Sequence, residues 1–143
     1  MYNISSKSCE RIGILNYQIL EKCTEVTEVD INQYLSRMKE LVQIGHYTIS
    51  RNENRQANID FIEKYRINTK KEKKILWSLT LNDFHKRLDN DNLSYPDEKL
   101  YVFIKKVTLD NWGFLEEVEL YIKMNLAQNK KGQEFLIVVS FHE

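Results

Sequence analysis

Two apolar runs near the end of the chain have the pattern of paired β-strands. From Glu117 to Met124 apolar and polar residues alternate, which is typical of a strand with one buried face. The run from Phe135 to Glu143 is apolar on both faces until Ser140 and His142, so we expect it to lie inside a sheet with other elements packed on each side. A polar Lys-Lys-Gly stretch between the runs predicts the hairpin connection.

Earlier in the chain, apolar residues recur mainly at helical spacing. Helices are predicted from Cys9 to Cys23, from the capping residue Asp30 to Gly45, from about Ala57 to Tyr65, from Lys70 to Leu79, and over a short turn from Thr80 that carries Asp83, His85 and Lys86. Shorter runs from His46 to Ser50 and from Lys99 to Thr108 predict strands. Helices first and strands last favour an α+β fold, in which N-terminal helices pack on an antiparallel C-terminal sheet.

Length and composition indicate one domain of a cytoplasmic protein. A chain of 143 residues fits a single α+β domain, which we place at residues 31–143, with an N-terminal helical extension over residues 1–30. The 21 basic and 21 acidic residues balance, so net charge neither requires nor excludes a nucleic-acid partner. No apolar run reaches the roughly 18 residues that cross a membrane. Cys9 and Cys23 lack metal-ligand spacing and are interpreted as reduced thiols.

Four short pieces of sequence occur in an order that resembles one toxin family. They are the helix Tyr34–Gly45, the segment Leu79–Lys86 with its Asp-Phe-His-Lys end, the loop Tyr95–Asp97, and the closing pair of Tyr121-Ile122-Lys123 and Ile137–Phe141. Together they resemble the motility quorum-sensing regulator (MqsR) family of mRNA interferases. Each piece is short, so the resemblance depends on their order and spacing between Tyr34 and Glu143.

The resemblance implies a RelE-like fold and a metal-independent endoribonuclease, the toxin of a type II toxin–antitoxin system. Such a protein cleaves single-stranded mRNA without a cofactor and is held inactive by a cognate antitoxin protein. The family's conserved lysine and hairpin tyrosine correspond to Lys86 and Tyr121 in this chain. Two positions differ, since a family lysine is replaced by His142 and a family glutamine falls near Val102.

Residue chemistry gives the same region a catalytic interpretation. Metal-free RNA cleavage requires a base for the 2′-hydroxyl, a cation for the phosphorane charge and an acid for the leaving 5′-oxygen. Histidine, with an ordinary pKa of about 6.5, suits either proton role near neutrality, which selects His142. Lys86 and Lys123 suit the phosphate as point charges, and Tyr121 suits phosphate positioning or base stacking. These four residues form the predicted catalytic set. The simpler alternative is that they are ordinary surface residues without a catalytic role.

A second set of residues is predicted to bind RNA outside the catalytic set. It consists of His85 and the basic residues Lys71, Lys73 and Lys74, for which a solvated helix face is the simpler interpretation. No phosphate-binding loop, dinucleotide fingerprint, zinc-protease motif or serine-nucleophile motif occurs in the chain. The alternative to an RNase is a non-catalytic protein-binding module on the same fold, of phage or mobile-element origin, that inhibits or docks on another protein.

Overall fold

The computed structural model describes residues 26–90 and 98–143. The predicted helix from Cys9 to Cys23 and the Tyr95–Asp97 loop lie outside these residues, as does most of the predicted extension over residues 1–30.

The described residues form three helices and then most of the sheet, as predicted. The helices are α1 (Glu28–Gln43), α2 (Gln56–Lys64) and α3 (Thr69–Trp77), with short 3-10 helices at Glu53–Arg55 and Leu81–Asp83; the strands are β1 (Tyr47–Ile49), β2 (Phe84–Asp89), β3 (Lys99–Asn111), β4 (Phe114–Gln128) and β5 (Glu134–His142). The strand order is β1-β5-β4-β3-β2. Strand β1 is parallel to β5 and all other pairings are antiparallel, so the α+β class and the mostly antiparallel sheet are confirmed.

The core lies between the helices and one face of this sheet. On β4 the alternating residues Val118, Leu120, Ile122 and Met124 are all buried in it, as the sequence pattern predicted. The apolar stripes of the three helices pack on the same side, including the fully buried Ile31, Met38 and Leu76. Each such side chain contributes about 1.5–3 kcal/mol by leaving water. We call this side of the sheet the helix face and the other side the open face.

Helix α1 begins earlier than predicted and ends where predicted. Its N-cap is Thr27 rather than Asp30. The Asp30 backbone N–H donates to Thr27 Oγ1, and Asp30 Oδ2 accepts a hydrogen bond from the Thr27 N–H, both at 3.2 Å. Asp30 is therefore the third helical residue (N3) of a capping box. At the other end Gly45 has a φ of +81°, the left-handed conformation that glycine adopts without strain after a helix.

The predicted short helix after Thr80 is mostly wrong. Thr80 does start a capping box with Asp83, but only one 3-10 turn follows, and the chain then enters strand β2. His85 and Lys86 therefore lie on a strand and not on a helix. The physical reason is that Phe84 and the residues after it pair with β3, from Phe84 opposite Phe103 to Asp89 opposite Lys99, and this sheet pairing overrides the local helix signal.

Candidate functional site on the open face of the sheet

Register across the sheet brings the four predicted catalytic residues onto the open face. One row runs Lys86, Val102, Lys123, Ser140 across β2, β3, β4 and β5, and we call it the lysine row. The next row runs Ile104, Tyr121, His142 and is called the tyrosine row. Residues directly opposite each other on paired strands project from the same face, so all four side chains share one surface.

Strand geometry sets the spacing between these groups. Neighbouring strands lie about 4.8 Å apart, so the backbones of Lys86 and Lys123 are separated by about 10 Å. The two rows are two residues apart along β4, which is about 7 Å. The rings of Tyr121 and His142 stack with centroids 5.8 Å apart and an interplanar angle of 27°. His142 on β5 is three strand spacings and one row from Lys86 on β2, so these two backbones are about 16 Å apart. The two lysines and the tyrosine–histidine pair therefore surround an area that a short stretch of extended RNA can cross.

A bulge in β5 places His142 on this face. Simple alternation would put Leu136, Val138, Ser140 and His142 all on the helix face. In the structure Met124 pairs with Val138 but its neighbour Lys123 pairs with Ser140, so Val139 is an extra residue in β5. After this bulge the faces exchange: Phe141 enters the core, fully buried, while Ser140 and His142 turn to the open face.

The side chain of Asn58 on α2 stabilises the bulge. Asn58 is 1% exposed. Its Nδ2 donates to the backbone oxygens of Ser50 at 2.9 Å and Val139 at 3.0 Å, and its Oδ1 accepts from the Phe141 N–H at 2.8 Å. One buried amide thus satisfies two backbone groups of β5 at the bulge, the Val139 oxygen and the Phe141 N–H, together with the Ser50 oxygen just after β1. The sequence analysis missed this residue, because a polar residue in a polar segment gives no sign that it is buried.

Tyr121 and His142 line a shallow depression of about 310 Å³ together with Ile104, Glu119 and Glu143. Partial burial raises the pKa of Tyr121 above that of a free tyrosine, so its phenol stays protonated at neutral pH and acts as a hydrogen-bond donor. Nδ1 of His142 lies 2.8 Å from the backbone oxygen of Glu143. Because a carbonyl oxygen only accepts, this contact favours the tautomer with hydrogen on Nδ1, which leaves the lone pair on Nε2.

A larger groove of about 540 Å³ adjoins Lys123 on the side away from Tyr121. Apolar side chains that include Leu100, Ile137 and Val139 line it, and its polar groups include Arg55, Glu98 and Asn125. Leu100, Asn125 and Ile137 are opposite one another in register, and we call them the asparagine row. The sequence analysis did not single out Arg55 or Asn125, since only the folded sheet brings them beside the lysine row.

The residues predicted to bind RNA outside the catalytic set are not gathered at this face. Lys71, Lys73 and Lys74 lie on α3, whose buried residues Ile75 and Leu76 belong to the core on the helix face. They are therefore separated from the lysine row by the thickness of the sheet and the core. His85 lies on β2 beside Lys86, at the irregularity where the pairing between Phe84 and Lys86 shifts.

Within residues 26–90 and 98–143, no three His, Cys, Asp or Glu side chains lie together as a group that could hold a metal ion. Within the same ranges no helix is long and apolar enough to cross a membrane.

No protein-family model, curated protein or solved structure matches this chain.

Proposed function

We propose that the protein is a metal-independent endoribonuclease of the RelE-like toxin type that cleaves single-stranded mRNA on the open face. One observation carries the proposal: Lys86 and Lys123 share one row of the sheet, and Tyr121 and His142 occupy the row beside it. This arrangement brings an imidazole, two ammonium groups and a phenol to one surface, where they can supply the base, the acid and the cation that metal-free phosphodiester cleavage requires.

In the proposed reaction the scissile phosphate lies above the middle of the lysine row. Nε2 of His142 takes the proton of the 2′-hydroxyl as its oxygen attacks phosphorus. The bond from phosphorus to the 5′-oxygen breaks, and the leaving oxygen takes a proton from the Lys86 ammonium. Lys123 stabilises the added charge of the phosphorane, and the Tyr121 hydroxyl donates a hydrogen bond to a nonbridging oxygen. The products are a 2′,3′-cyclic phosphate and a free 5′-hydroxyl.

The position of Val102 affects how the charge is stabilised. Val102 is fully buried and stands between Lys86 and Lys123 in the lysine row. The resemblance to the MqsR family puts a glutamine near this position, and valine offers no hydrogen bond to a phosphate. In the family a glutamine helps to bind the phosphate. In this protein the two lysines and Tyr121 supply all of these phosphate contacts. By the same resemblance we propose a cytoplasmic location and a cognate antitoxin protein as the partner that blocks the open face.

The proposal is tested by expressing the wild-type chain, His142→Ala and the matched control His46→Ala from an inducible promoter in bacteria. His46 follows α1 and is exposed, away from both rows. Wild type and His46→Ala should stop growth and shorten the cellular mRNA, whereas His142→Ala should do neither. Unimpaired growth and intact mRNA with wild-type protein at a verified expression level would contradict the proposal.

A second candidate function, a non-catalytic protein-binding module, has its own supporting observation. The β3–β4 hairpin ends in a two-residue turn, Trp112-Gly113, and Trp112, Phe114 and Leu115 at this tip are 66%, 76% and 76% exposed. Clustered apolar side chains on a surface are typical of protein contact sites. If the open face performs no chemistry, this tip is the surface through which the chain would inhibit or dock on another protein.

The two functions respond differently to the same substitutions. Phe114→Ser with Leu115→Ser removes apolar surface at the tip and leaves the lysine row intact. A catalytic toxin keeps its growth inhibition in this double variant and loses it in Lys86→Ala. A binding module shows the reverse result.

A further inference from the structure

The groove beside Lys123 has the chemistry of a nucleobase pocket. Its apolar lining, with Leu100, Ile137 and Val139, offers a surface for the flat face of a ring. Arg55 supplies a planar guanidinium, which stacks on aromatic rings, and Asn125 and Glu98 supply hydrogen-bonding groups for a base edge. Its volume of about 540 Å³ is ample for one base.

Local structure fixes the backbone of Arg55 beside the groove. It ends the 3-10 helix Glu53–Arg55, which Asn52 caps, and its N–H donates to the Asn52 oxygen at 2.8 Å. Three residues later Asn58 fixes the start of α2 to the β5 bulge. Arg55 is therefore connected, through Asn58 three residues along the chain, to the same bulge that turns His142 to the open face.

Asn125 has an unused acceptor at this groove. The residue is 8% exposed, and its Nδ2 donates to Glu98 Oε2 at 3.3 Å. Its Oδ1 is buried and has no hydrogen-bond donor among the described residues. A buried amide oxygen without a donor is unfavourable, so a ligand that brings a donor gains the missing bond after a small rotation of the amide.

We propose that this groove binds the nucleobase next to the cleaved phosphodiester and prefers bases with an exocyclic amino group. The inference rests on the proposed cleavage at the lysine row. Asn125 Oδ1 and the Glu98 carboxylate are both acceptors. The exocyclic amino group of adenine, cytosine or guanine has two hydrogens and can donate to both, whereas uracil lacks an amino group and offers only its single N3–H donor. The asparagine row lies about 7 Å from the lysine row, so consecutive nucleotides of an extended strand reach both.

The test measures binding and cleavage separately. Fluorescein-labelled oligomers of 2′-O-methyl adenosine, cytidine and uridine cannot be cut, because the attacking hydroxyl is blocked, and their affinities are measured by fluorescence anisotropy. Wild type should bind the adenosine and cytidine oligomers about tenfold more tightly than the uridine oligomer. Asn125→Ala should remove this preference, and Arg55→Ala should weaken all three about fivefold to tenfold. Arg55→Lys, which keeps the charge but not the planar group, should recover only part of the loss.

The control is Arg37→Ala on α1, whose side chain pairs with Glu40 and Glu134, and which should bind like wild type. Circular dichroism establishes that each variant is folded. Equal affinity for the three oligomers, or wild-type binding by Arg55→Ala and Asn125→Ala, would overturn the base pocket even where unmodified RNA is still cut. Base-selective binding without any cutting of unmodified RNA would instead keep the pocket and remove the proposed catalysis. No binding to any oligomer would overturn the base pocket, and intact unmodified RNA beside it would overturn the proposed catalysis as well.

Discussion

Asn58→Ala should destabilise the protein strongly, because it removes the support of the β5 bulge. The substitution deletes three hydrogen bonds, to the Ser50 oxygen, the Val139 oxygen and the Phe141 N–H. At about 1 kcal/mol for each bond the free energy of unfolding falls by about 3 kcal/mol, and by more if the buried backbone groups find no water. This is a large part of the 5–15 kcal/mol that is usual for a domain.

Urea unfolding followed by circular dichroism measures this loss. With an m-value of about 1.5 kcal/mol per molar urea, the midpoint should fall by about 2 M. The matched control is Asn52→Ala, which removes one exposed cap bond to the Asn54 N–H and should cost under about 1 kcal/mol. Asn58→Asp keeps an acceptor for Phe141 but sets a carboxylate oxygen against two carbonyl oxygens, so it should be no more stable than Asn58→Ala at pH 7.

An Asn58→Ala variant as stable as Asn52→Ala would contradict this prediction. It would mean that the bulge is held by the strand pairing alone, and that the orientation of His142 does not depend on α2.

Three further predictions concern the hydroxyl of Tyr121, the carboxylate of Glu116 and the conformation of Gly45. Tyr121→Phe should lower kcat/KM for RNA by about tenfold or more, since it removes a hydrogen-bond donor, with unchanged stability; Tyr47→Phe on the edge strand should leave cleavage as in wild type. The pKa of Glu116 is lowered by hydrogen bonds from Asn111 and then Tyr65, so its stabilising effect is full above the ordinary glutamate pKa and disappears as pH falls through the lowered value. Glu116→Gln should therefore reduce the stability lost between neutral and acidic pH, and an unchanged pH profile by urea unfolding would disprove this role. Gly45→Ala should lower the free energy of unfolding by about 1 kcal/mol, measured by thermal unfolding, because φ is +81° there. An added Cβ has no neighbour within 4 Å, so backbone strain is the only source of the loss. An unchanged stability would show that the helix end relaxes.

Local patterns in the sequence were sufficient for most of the elements. The alternation through Leu120 and Ile122 and the glycine at position 45 are each set by neighbours along the chain, and the structure agrees with them. The 3-10 turn and strand at Phe84 differ from the prediction because β3 supplies a pairing partner that no local pattern contains.

The candidate site depends on register, which local patterns do not fix. The sequence of residues 138–142 contains no signal that Val139 is an extra residue in β5. Without this bulge, His142 would point toward the helix face. Likewise the alternation of Leu100, Val102 and Ile104 predicts a strand but not which of its faces packs on the helices. These three residues lie on the open face, and Tyr101 and Phe103 belong to the core. Arg55 comes near Asn125 only through the folded sheet, so sequence spacing gave no sign of the groove.

An RNase site on the open face is tested by cleavage of a 5′-labelled single-stranded RNA by purified protein in excess EDTA. We expect fragments that end in a 2′,3′-cyclic phosphate for wild type and for Lys39→Ala, a control on α1. We expect a loss of at least a hundredfold in rate for Lys86→Ala, which removes a proposed proton donor and phosphate contact. Intact RNA with wild-type protein, or equal cutting by Lys86→Ala, would contradict the central claim that the open face is a metal-free RNase site.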